Sequence, residues 1–171
     1  MNYKIPETMR YATIRKIDIS NGPYIGVSLF LQGCLFHCKN CFNQVAWPLD
    51  GGKEFTEKEK KEFFELIEGV KRVSILGGEP LLQATELSEL LKEIKETWPE
   101  KEIWLWTGFY ISELTEEQMK VINLCDYIVD GRYIDELKDR KLRFRGSSNQ
   151  TIWHNINGEL VKSKYNDERL D

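Results

Sequence analysis

The sequence predicts an α/β fold with a mostly parallel sheet. Short, nearly continuous apolar runs alternate with stretches whose apolar residues recur at i, i+3, i+4 and i+7, the spacing of an amphipathic helix. Such alternation is typical of βαβ units, whose parallel strands are buried on both faces. A closed TIM barrel usually needs about 250 residues. The 171 residues of this chain are therefore expected to form an incomplete TIM-like βα barrel.

The first third of the chain contains two predicted strands. Residues 13–19 form a strand that ends at the turn-forming residues 20–23. Residues 27–31 form a second, fully apolar strand apart from Ser28. This strand leads directly into residues 33–43, which carry three of the four cysteines of the chain.

Three amphipathic helices are predicted beyond that loop, and each is followed by a strand. Thr56 and Glu59 form a Thr-x-x-Glu capping box at the start of the first helix, and Thr115 and Gln118 mark the third helix in the same way. The second helix ends before Pro99. The strands that follow the three helices are residues 72–76, 102–106 and 127–129.

Composition excludes several classes of function. The apolar content of 41% and the charged content of 30% are typical of a globular domain. The net charge of −4 gives no reason to expect nucleic-acid binding. No run approaches the roughly 20 apolar residues of a membrane span, and residues 1–7 lack the apolar segment of a signal peptide. We expect one cytoplasmic domain over residues 1–171, with a core at about 17–150 and a tail at 151–171.

Four predicted strands end in a distinctive element, and all four ends should meet. In parallel α/β folds, ligands bind at the carboxyl ends of the strands. We therefore expect one rim of the sheet to hold a binding site. The four elements are the cysteine loop (residues 33–43), Gly77-Gly78-Glu79-Pro80, Thr107-Gly108 and Asp130-Gly131.

The three clustered cysteines, Cys34, Cys38 and Cys41, point to a metal centre. On one helix the outer two would lie roughly 10 Å apart along the axis, so a wrapped loop is expected instead. A structural zinc site with His37 as fourth ligand is one alternative, although such sites normally use paired C-x2-C knuckles. An iron–sulfur cluster normally has four thiolate ligands. With three ligands it would keep one iron open, as catalytic metal sites do. Unliganded thiols are the third alternative.

The other candidate residues each have a functional and a structural interpretation. Gly77 and Gly78 allow a ligand to approach the backbone closely, and Glu79 offers a carboxylate to an ammonium group, but the same string forms tight turns. Asp130 can accept hydrogen bonds from a ligand or begin a turn before glycine. Cys125 stands alone and is expected to be a buried core thiol.

The motif Cys34-x3-Cys38-x2-Cys41 resembles that of the radical S-adenosylmethionine superfamily. Members hold a [4Fe-4S] cluster on this triplet, and the fourth iron chelates the amino and carboxylate groups of S-adenosylmethionine. Asn40 replaces the aromatic residue usual before the third cysteine, and Phe42 follows it. This variant is similar to the activating enzymes of anaerobic ribonucleoside-triphosphate reductase. Further matches to that family are Asn21-Gly22-Pro23, Trp104-Leu105-Trp106-Thr107-Gly108, Val129-Asp130-Gly131 and Arg145-Gly146-Ser147-Ser148-Asn149-Gln150.

The resemblance implies a function. An electron from the reduced cluster would cleave S-adenosylmethionine to methionine and a 5′-deoxyadenosyl radical. The radical would take a hydrogen atom from a glycine Cα of the large reductase subunit and leave a glycyl radical. No catalytic side chain is implied beyond the cluster and S-adenosylmethionine. With no cysteines for a second cluster, a flavodoxin or ferredoxin would supply the electron.

The resemblance also assigns residues to the two cofactors. The cluster ligands would be Cys34, Cys38 and Cys41, and no role is implied for any single residue from Arg145 to Gln150. The residues implied to bind the cofactors are Asn40, Cys41, Phe42, Gly77, Gly78, Glu79, Thr107 and Asp130. Two other functions stay open: a different short radical enzyme of the superfamily, which acts on a small molecule or on another glycyl radical enzyme, and a non-catalytic zinc or iron–sulfur module that senses redox state.

Overall fold

The structure is a computed structural model that describes residues 6–171. That part of the chain contains one eight-stranded sheet and three α-helices, which confirms the α/β class. The helices are α1 (Glu57–Ile67), α2 (Ala84–Thr97) and α3 (Glu116–Leu124). The strands are β1 (Arg10–Asp18), β2 (Gly26–Leu31), β3 (Lys53–Glu54), β4 (Arg72–Gly77), β5 (Glu102–Trp106), β6 (Tyr127–Asp130), β7 (Thr151–Ile156) and β8 (Glu159–Lys162).

The sheet is parallel only at its centre. Its strand order is β3-β1-β2-β4-β5-β6-β7-β8, and the pairings among β2, β4, β5 and β6 are parallel. The four outer pairings are antiparallel. The prediction of a mostly parallel sheet is therefore wrong, because the chain returns without a crossover helix on both sides of the central strands. The finer prediction of an incomplete TIM-like barrel stays a prediction.

The far edge of the sheet comes from the predicted tail. Strands β7 and β8 form a hairpin beside β6, so the core extends beyond residue 150. Asn157 and Gly158 join the two strands with φ angles of 52° and 90°. Two positive φ angles are what a two-residue hairpin turn requires, and Asn-Gly is its preferred sequence.

The first and third helices begin where the sequence predicts. The Thr56 amide donates to the Glu59 side chain at 3.0 Å, and the Thr115 amide donates to that of Gln118 at 3.1 Å. These are the reciprocal bonds of a capping box. Among the described residues, no helix is long and apolar enough to cross a bilayer. The expected absence of a signal peptide concerns residues 1–7, of which 1–5 lie outside the described part.

The two faces of the sheet carry different side chains. Successive strand residues point to opposite faces: Ile103 and Leu105 join the core cluster that contains residues of all three helices, whereas Trp104 belongs to a separate aromatic cluster. Right-handed crossovers between adjacent parallel strands place their helices on the same face. The face opposite the helices is therefore left to the aromatic residues and to the cavity described below.

The loop between β1 and β2 is fastened by a buried arginine. The Arg72 side chain lies within the protein at 0% exposure and donates to the carbonyls of Pro23 and Asp18 at 2.8 and 2.6 Å. The Asp18 carboxylate accepts the amide of Ser20 at 2.7 Å. Removing one partner of such a buried charged network leaves carbonyls unsatisfied. The network fixes Ser20 and Asn21, which line the cavity.

Candidate metal centre and ligand cavity

A cavity of about 600 Å³ opens where the central strands end. This volume is in the range of small-molecule sites. Each of the four predicted strand ends contributes to its lining, so the expected meeting of these elements at one site is observed. The contributing residues are Cys34, Cys38 and Cys41 after β2, Gly77, Gly78 and Glu79 at β4, Thr107 and Gly108 after β5, and Gly131 after β6.

The cysteines lie on a wrapped loop, as predicted. Gly33, His37 and Asn40 have positive φ angles of 101°, 48° and 59°, which turn the chain repeatedly between the thiols. The Cys41 amide donates to the Cys38 carbonyl at 3.1 Å, and the Cys34 amide donates to the Trp47 carbonyl at 3.0 Å. All three thiols are free and half-buried. The loop is thus closed on itself and presents its sulfurs to one cavity.

One of the three sulfurs accepts a backbone hydrogen bond: the Asn43 amide donates to Cys41 at 3.4 Å. Burial raises the pKa of the Cys34 and Cys38 thiols, although nearby backbone amides act in the opposite direction. Hydrogen bonds to sulfur are one of the means by which a protein sets the potential of an iron–sulfur cluster.

His37 does not join the three thiols. Its ring stacks on Trp47 with the centroids 4.3 Å apart and the planes 11° from parallel. Within residues 6–171, no three His, Cys, Asp or Glu side chains are gathered closely enough to hold a single metal ion. Tetrahedral zinc would need its sulfurs roughly 4 Å apart, given bonds of about 2.3 Å. The stacking therefore gives no support to a zinc site completed by His37.

The cavity fits a cluster with a polar ligand beside it. In a [4Fe-4S] cluster each thiolate binds its own iron, so the sulfurs need not converge as they do around zinc. Two buried side-chain donors of residues that line the cavity, the Nδ2 of Asn43 and the Nε of Arg145, have no hydrogen-bond partner in the described protein. Buried polar groups are nearly always paired. Two unpaired donors in residues of the cavity lining are thus the pattern expected where a polar partner is missing.

Gly77 and Gly78 pack against the start of the cysteine loop. A Cβ on Gly78 would lie 2.4 Å from the Gly33 carbonyl oxygen, and one on Gly77 would lie 2.4 Å from the backbone of Leu31. The Glu79 amide donates to that same Gly33 carbonyl at 2.7 Å. The glycines are therefore required first by the contact between two loops, whereas the sequence suggested only the close approach of a ligand.

Glu79 forms the buried polar centre of the site. Its carboxylate accepts the hydroxyl of Thr107 at 2.7 Å and the amides of Gly108 and Leu81 at 2.6 and 3.1 Å. Its exposure is 1%. Burial raises the pKa of Glu79 to about 7, although the three hydrogen bonds act in the opposite direction. Glu79 and Thr107, which come from two different predicted strand ends, are thus joined by a direct hydrogen bond.

The raised pKa predicts that the apoprotein loses stability as the pH rises. Unfolded glutamate has a pKa near 4.5, so between that value and about 7 the folded state binds more protons than the unfolded state. The free energy of unfolding should fall by up to about 3 kcal/mol across this window. Urea denaturation of the apoprotein at pH 5 and pH 8 should show this loss, and Glu79→Gln should remove it.

The exposed Glu65→Gln provides the matched control, since its side chain lies on the solvent side of α1. It should keep the wild-type difference between the two pH values. If Glu79→Gln keeps the wild-type difference in the free energy of unfolding between pH 5 and pH 8, the Glu79 carboxyl has the same pKa in the folded and unfolded states.

Three residues that are predicted to bind the cofactors have other contacts in the structure or are exposed. The Asp130 carboxylate is buried and accepts the Ile111 amide at 2.9 Å, and it is Gly131, not Asp130, that lines the cavity. The Asn40 amide nitrogen donates to Asp135 at 2.8 Å. Phe42 lies at the cavity mouth and is 86% exposed. Cys125 is buried and its thiol donates to the Val121 carbonyl at 3.2 Å, as expected of a core residue.

Part of the cavity wall was not predicted from the sequence. Trp106 lines the cavity, and its indole nitrogen donates to the Phe144 carbonyl at 2.9 Å. Its position as the last residue of β5, on the same face as Trp104, was the available signal. Tyr133 and Arg145 also line the cavity, and no local pattern predicted them.

Comparison with known proteins reveals clear similarities. Residues 20–153 match the family model described as "4Fe-4S single cluster domain". Several relatives carry the name anaerobic ribonucleoside-triphosphate reductase-activating protein, among them those of three organisms. The Salmonella typhi protein is 36% identical over 85% of this chain and 99% of its own length. The Vibrio cholerae protein is 39% identical over 84% and 97%. That of Enterobacteria phage T4 is 36% identical over 88% and 97%.

Proposed function

The chain belongs to the family of anaerobic ribonucleoside-triphosphate reductase-activating proteins, and its residues 20–153 match a 4Fe-4S single cluster domain. From this premise we propose that it is a radical S-adenosylmethionine enzyme. Its substrate would be a polypeptide, the large subunit of an anaerobic ribonucleotide reductase. Its product would be a glycyl radical on that subunit.

One observation carries this proposal. Three half-buried thiols and the Gly77-Gly78-Glu79 turn line the same cavity, although more than 30 residues separate them in sequence. The thiols would hold the cluster, and the turn would hold the methionyl end of S-adenosylmethionine. The two loops are in direct backbone contact through Gly33. That contact would keep the cluster and S-adenosylmethionine at a fixed distance and orientation.

Each site residue has a proposed task. Cys34, Cys38 and Cys41 would each bind one iron and leave the fourth free. Glu79 would face the ammonium group of S-adenosylmethionine, and Thr107 would orient it through the hydrogen bond between them. The aromatic wall of Trp106 and Phe144 would exclude water from the reacting groups.

Three predicted residues would shape the site indirectly. Asn40 would hold the cysteine loop to Asp135, and Asp130 would fix the turn at Ile111. Phe42, exposed at the mouth, would be available to the polypeptide substrate.

The cofactors would supply the electron transfer and the radical chemistry. When bound, the cluster would supply one electron for the cleavage of S-adenosylmethionine, and the resulting 5′-deoxyadenosyl radical would remove hydrogen from a glycine Cα of the reductase. The protein would bind and orient S-adenosylmethionine and shield the reacting groups from water. A flavodoxin or ferredoxin would deliver the electron, and the free thiols fit a reducing compartment such as the cytoplasm. The fold would be that of an incomplete barrel with one open flank for the substrate.

Anaerobic reconstitution with iron and sulfide tests the enzymatic proposal. The protein should become brown, bleach with dithionite and form 5′-deoxyadenosine when S-adenosylmethionine is added. A colourless zinc protein, or a cluster that leaves S-adenosylmethionine intact, would contradict it and favour the redox-sensing module.

A further inference from the structure

One wall of the cavity carries several cationic side chains. Residues 131–150 join β6 to β7, and among them Lys138, Arg140 and Arg145 line the cavity. The chain as a whole has a net charge of −4, so this wall differs in sign from the protein average. The tasks proposed above for the cysteines, Glu79 and Thr107 give no function to these three cations.

Arg145 has no counter-ion, whereas the neighbouring Arg143 has one. The Arg143 guanidinium forms an ion pair with Glu168. Among residues 6–171, no carboxylate lies within 4 Å of the Arg145 guanidinium, and those of Asp139 and Asp167 act on it only from farther away. The positive charge of Arg145 is therefore not compensated by a direct ion pair.

Neutral groups hold the Arg145 guanidinium in place. It donates to the carbonyls of Gln150 and Asn166 at 2.8 and 2.9 Å, while its Nε is buried without a partner. Burial lowers the pKa of Arg145 from its ordinary value. Burying a charge without an opposite charge costs free energy, and buried donors are normally paired. Arg145 is thus fixed in position beside the cavity, with a free donor and an uncompensated charge, as an anion-binding residue requires.

The strand order separates Arg145 from Glu79. Gln150 precedes β7, and the Asn166 side chain accepts the amide of Ile152 in that strand at 2.8 Å. Glu79 follows β4, and β5 and β6 lie between β4 and β7. Three strand spacings amount to roughly 14 Å along the sheet. The ammonium and carboxylate groups of S-adenosylmethionine are attached to one carbon atom, so a carboxylate whose ammonium faces Glu79 is expected far from Arg145.

We propose that Arg145 is a specificity-determining residue that binds a carboxylate side chain of the polypeptide substrate within the cavity. The inference rests on the proposed function, since it requires a polypeptide at this site. Arginine has five N–H donors, and the carbonyls of Gln150 and Asn166 take only two of them. The others can pair with a carboxylate, the anion that the guanidinium geometry matches. Lys138 and Arg140, exposed on the same wall, attract an acidic segment toward it.

The test measures the affinity of the reconstituted protein for the large reductase subunit by anaerobic calorimetry in the presence of S-adenosylmethionine. Arg145→Met should bind about 10- to 100-fold more weakly, because hydrogen bonds to a charged group are lost. Arg145→Lys, which keeps the charge without the planar fork, should lie between the two, and Arg145→Glu should bind more weakly than Arg145→Met. Added salt should weaken the wild type more than Arg145→Met. Loss of the two carbonyl bonds alone would affect the Met and Glu variants alike.

Arg143→Met is the matched control, because it removes the same charge from a residue that is paired with Glu168 and does not line the cavity. It should keep the wild-type affinity. Circular dichroism verifies folding, and Arg145→Lys decides the matter if Arg145→Met does not fold.

Unchanged affinity in folded Arg145→Met, or an equal loss in Arg143→Met, would overturn the inference. A loss of S-adenosylmethionine affinity as large as the loss of reductase affinity would assign Arg145 to that cofactor and overturn it as well. A wild-type protein that leaves S-adenosylmethionine intact would instead contradict the proposed function itself, which separates the two failures.

Discussion

Replacing Cys34, Cys38 or Cys41 by alanine is expected to abolish both cluster assembly and the cleavage of S-adenosylmethionine. In the proposed site three thiolates would bind a cluster of four irons, so no surplus ligand would be available, and His37 is engaged with Trp47. Each single variant should contain little iron and sulfide after anaerobic reconstitution. Formation of 5′-deoxyadenosine, followed by chromatography, should fall to the background of the untreated protein.

Cys125→Ala is the control for these variants. Burial raises the pKa of the Cys125 thiol far above its ordinary value, and the sulfur lies in the core beside α3. The variant should lose about 1 kcal/mol of stability and keep its cluster and activity. Retention of a full cluster by any of the first three variants, or its loss from Cys125→Ala, would refute the ligand assignment.

Gly78→Ala is expected to cause the second large loss. The new Cβ would lie 2.4 Å from the Gly33 oxygen and 2.9 Å from that of Ala46, and both contacts are with backbone atoms. The two loops must move apart, at a cost of about 1–3 kcal/mol for overpacking. Displacement of reacting groups by about 1 Å can reduce a rate about 100-fold. Cleavage of S-adenosylmethionine by reconstituted protein should fall by at least this factor.

Gly69→Ala provides the matched glycine control. A Cβ at Gly69 would meet no atom within 4 Å, and its φ is not in the left-handed region. This variant should stay within about 0.5 kcal/mol of the wild-type stability and keep full activity. Wild-type cleavage by Gly78→Ala would mean that the contact between the two loops does not set the geometry of the site.

Local signals predicted the centre of the fold well. The capping boxes at Thr56 and Thr115 and the apolar strands before Gly77 and Thr107 each have a cause within a few residues. The meeting of the strand ends also follows from parallel topology alone. For these reasons the cysteines, Gly77, Gly78, Glu79 and Thr107 could be assigned to one cavity before the structure was known.

The outer strands and the distant wall of the cavity could not be predicted in the same way. The Asn157-Gly158 hairpin had a recognisable turn, but its place beside β6 depends on long-range pairing. Asp130 precedes a glycine at a strand end, which fits a ligand-binding carboxylate as well as its observed bond to Ile111. Asn149 donates to Arg132 and Tyr110, which lie 17 and 39 positions away, and no local pattern encodes these contacts.

The most direct test of the central proposal is electron paramagnetic resonance of the partner. The reconstituted protein is mixed anaerobically with the large reductase subunit, S-adenosylmethionine and reduced flavodoxin, with the Cys38→Ala variant as the control. We predict a glycyl radical doublet with the wild-type protein and none with the variant. If the wild-type protein cleaves S-adenosylmethionine under these conditions and no doublet forms on the reductase, the proposed substrate is wrong.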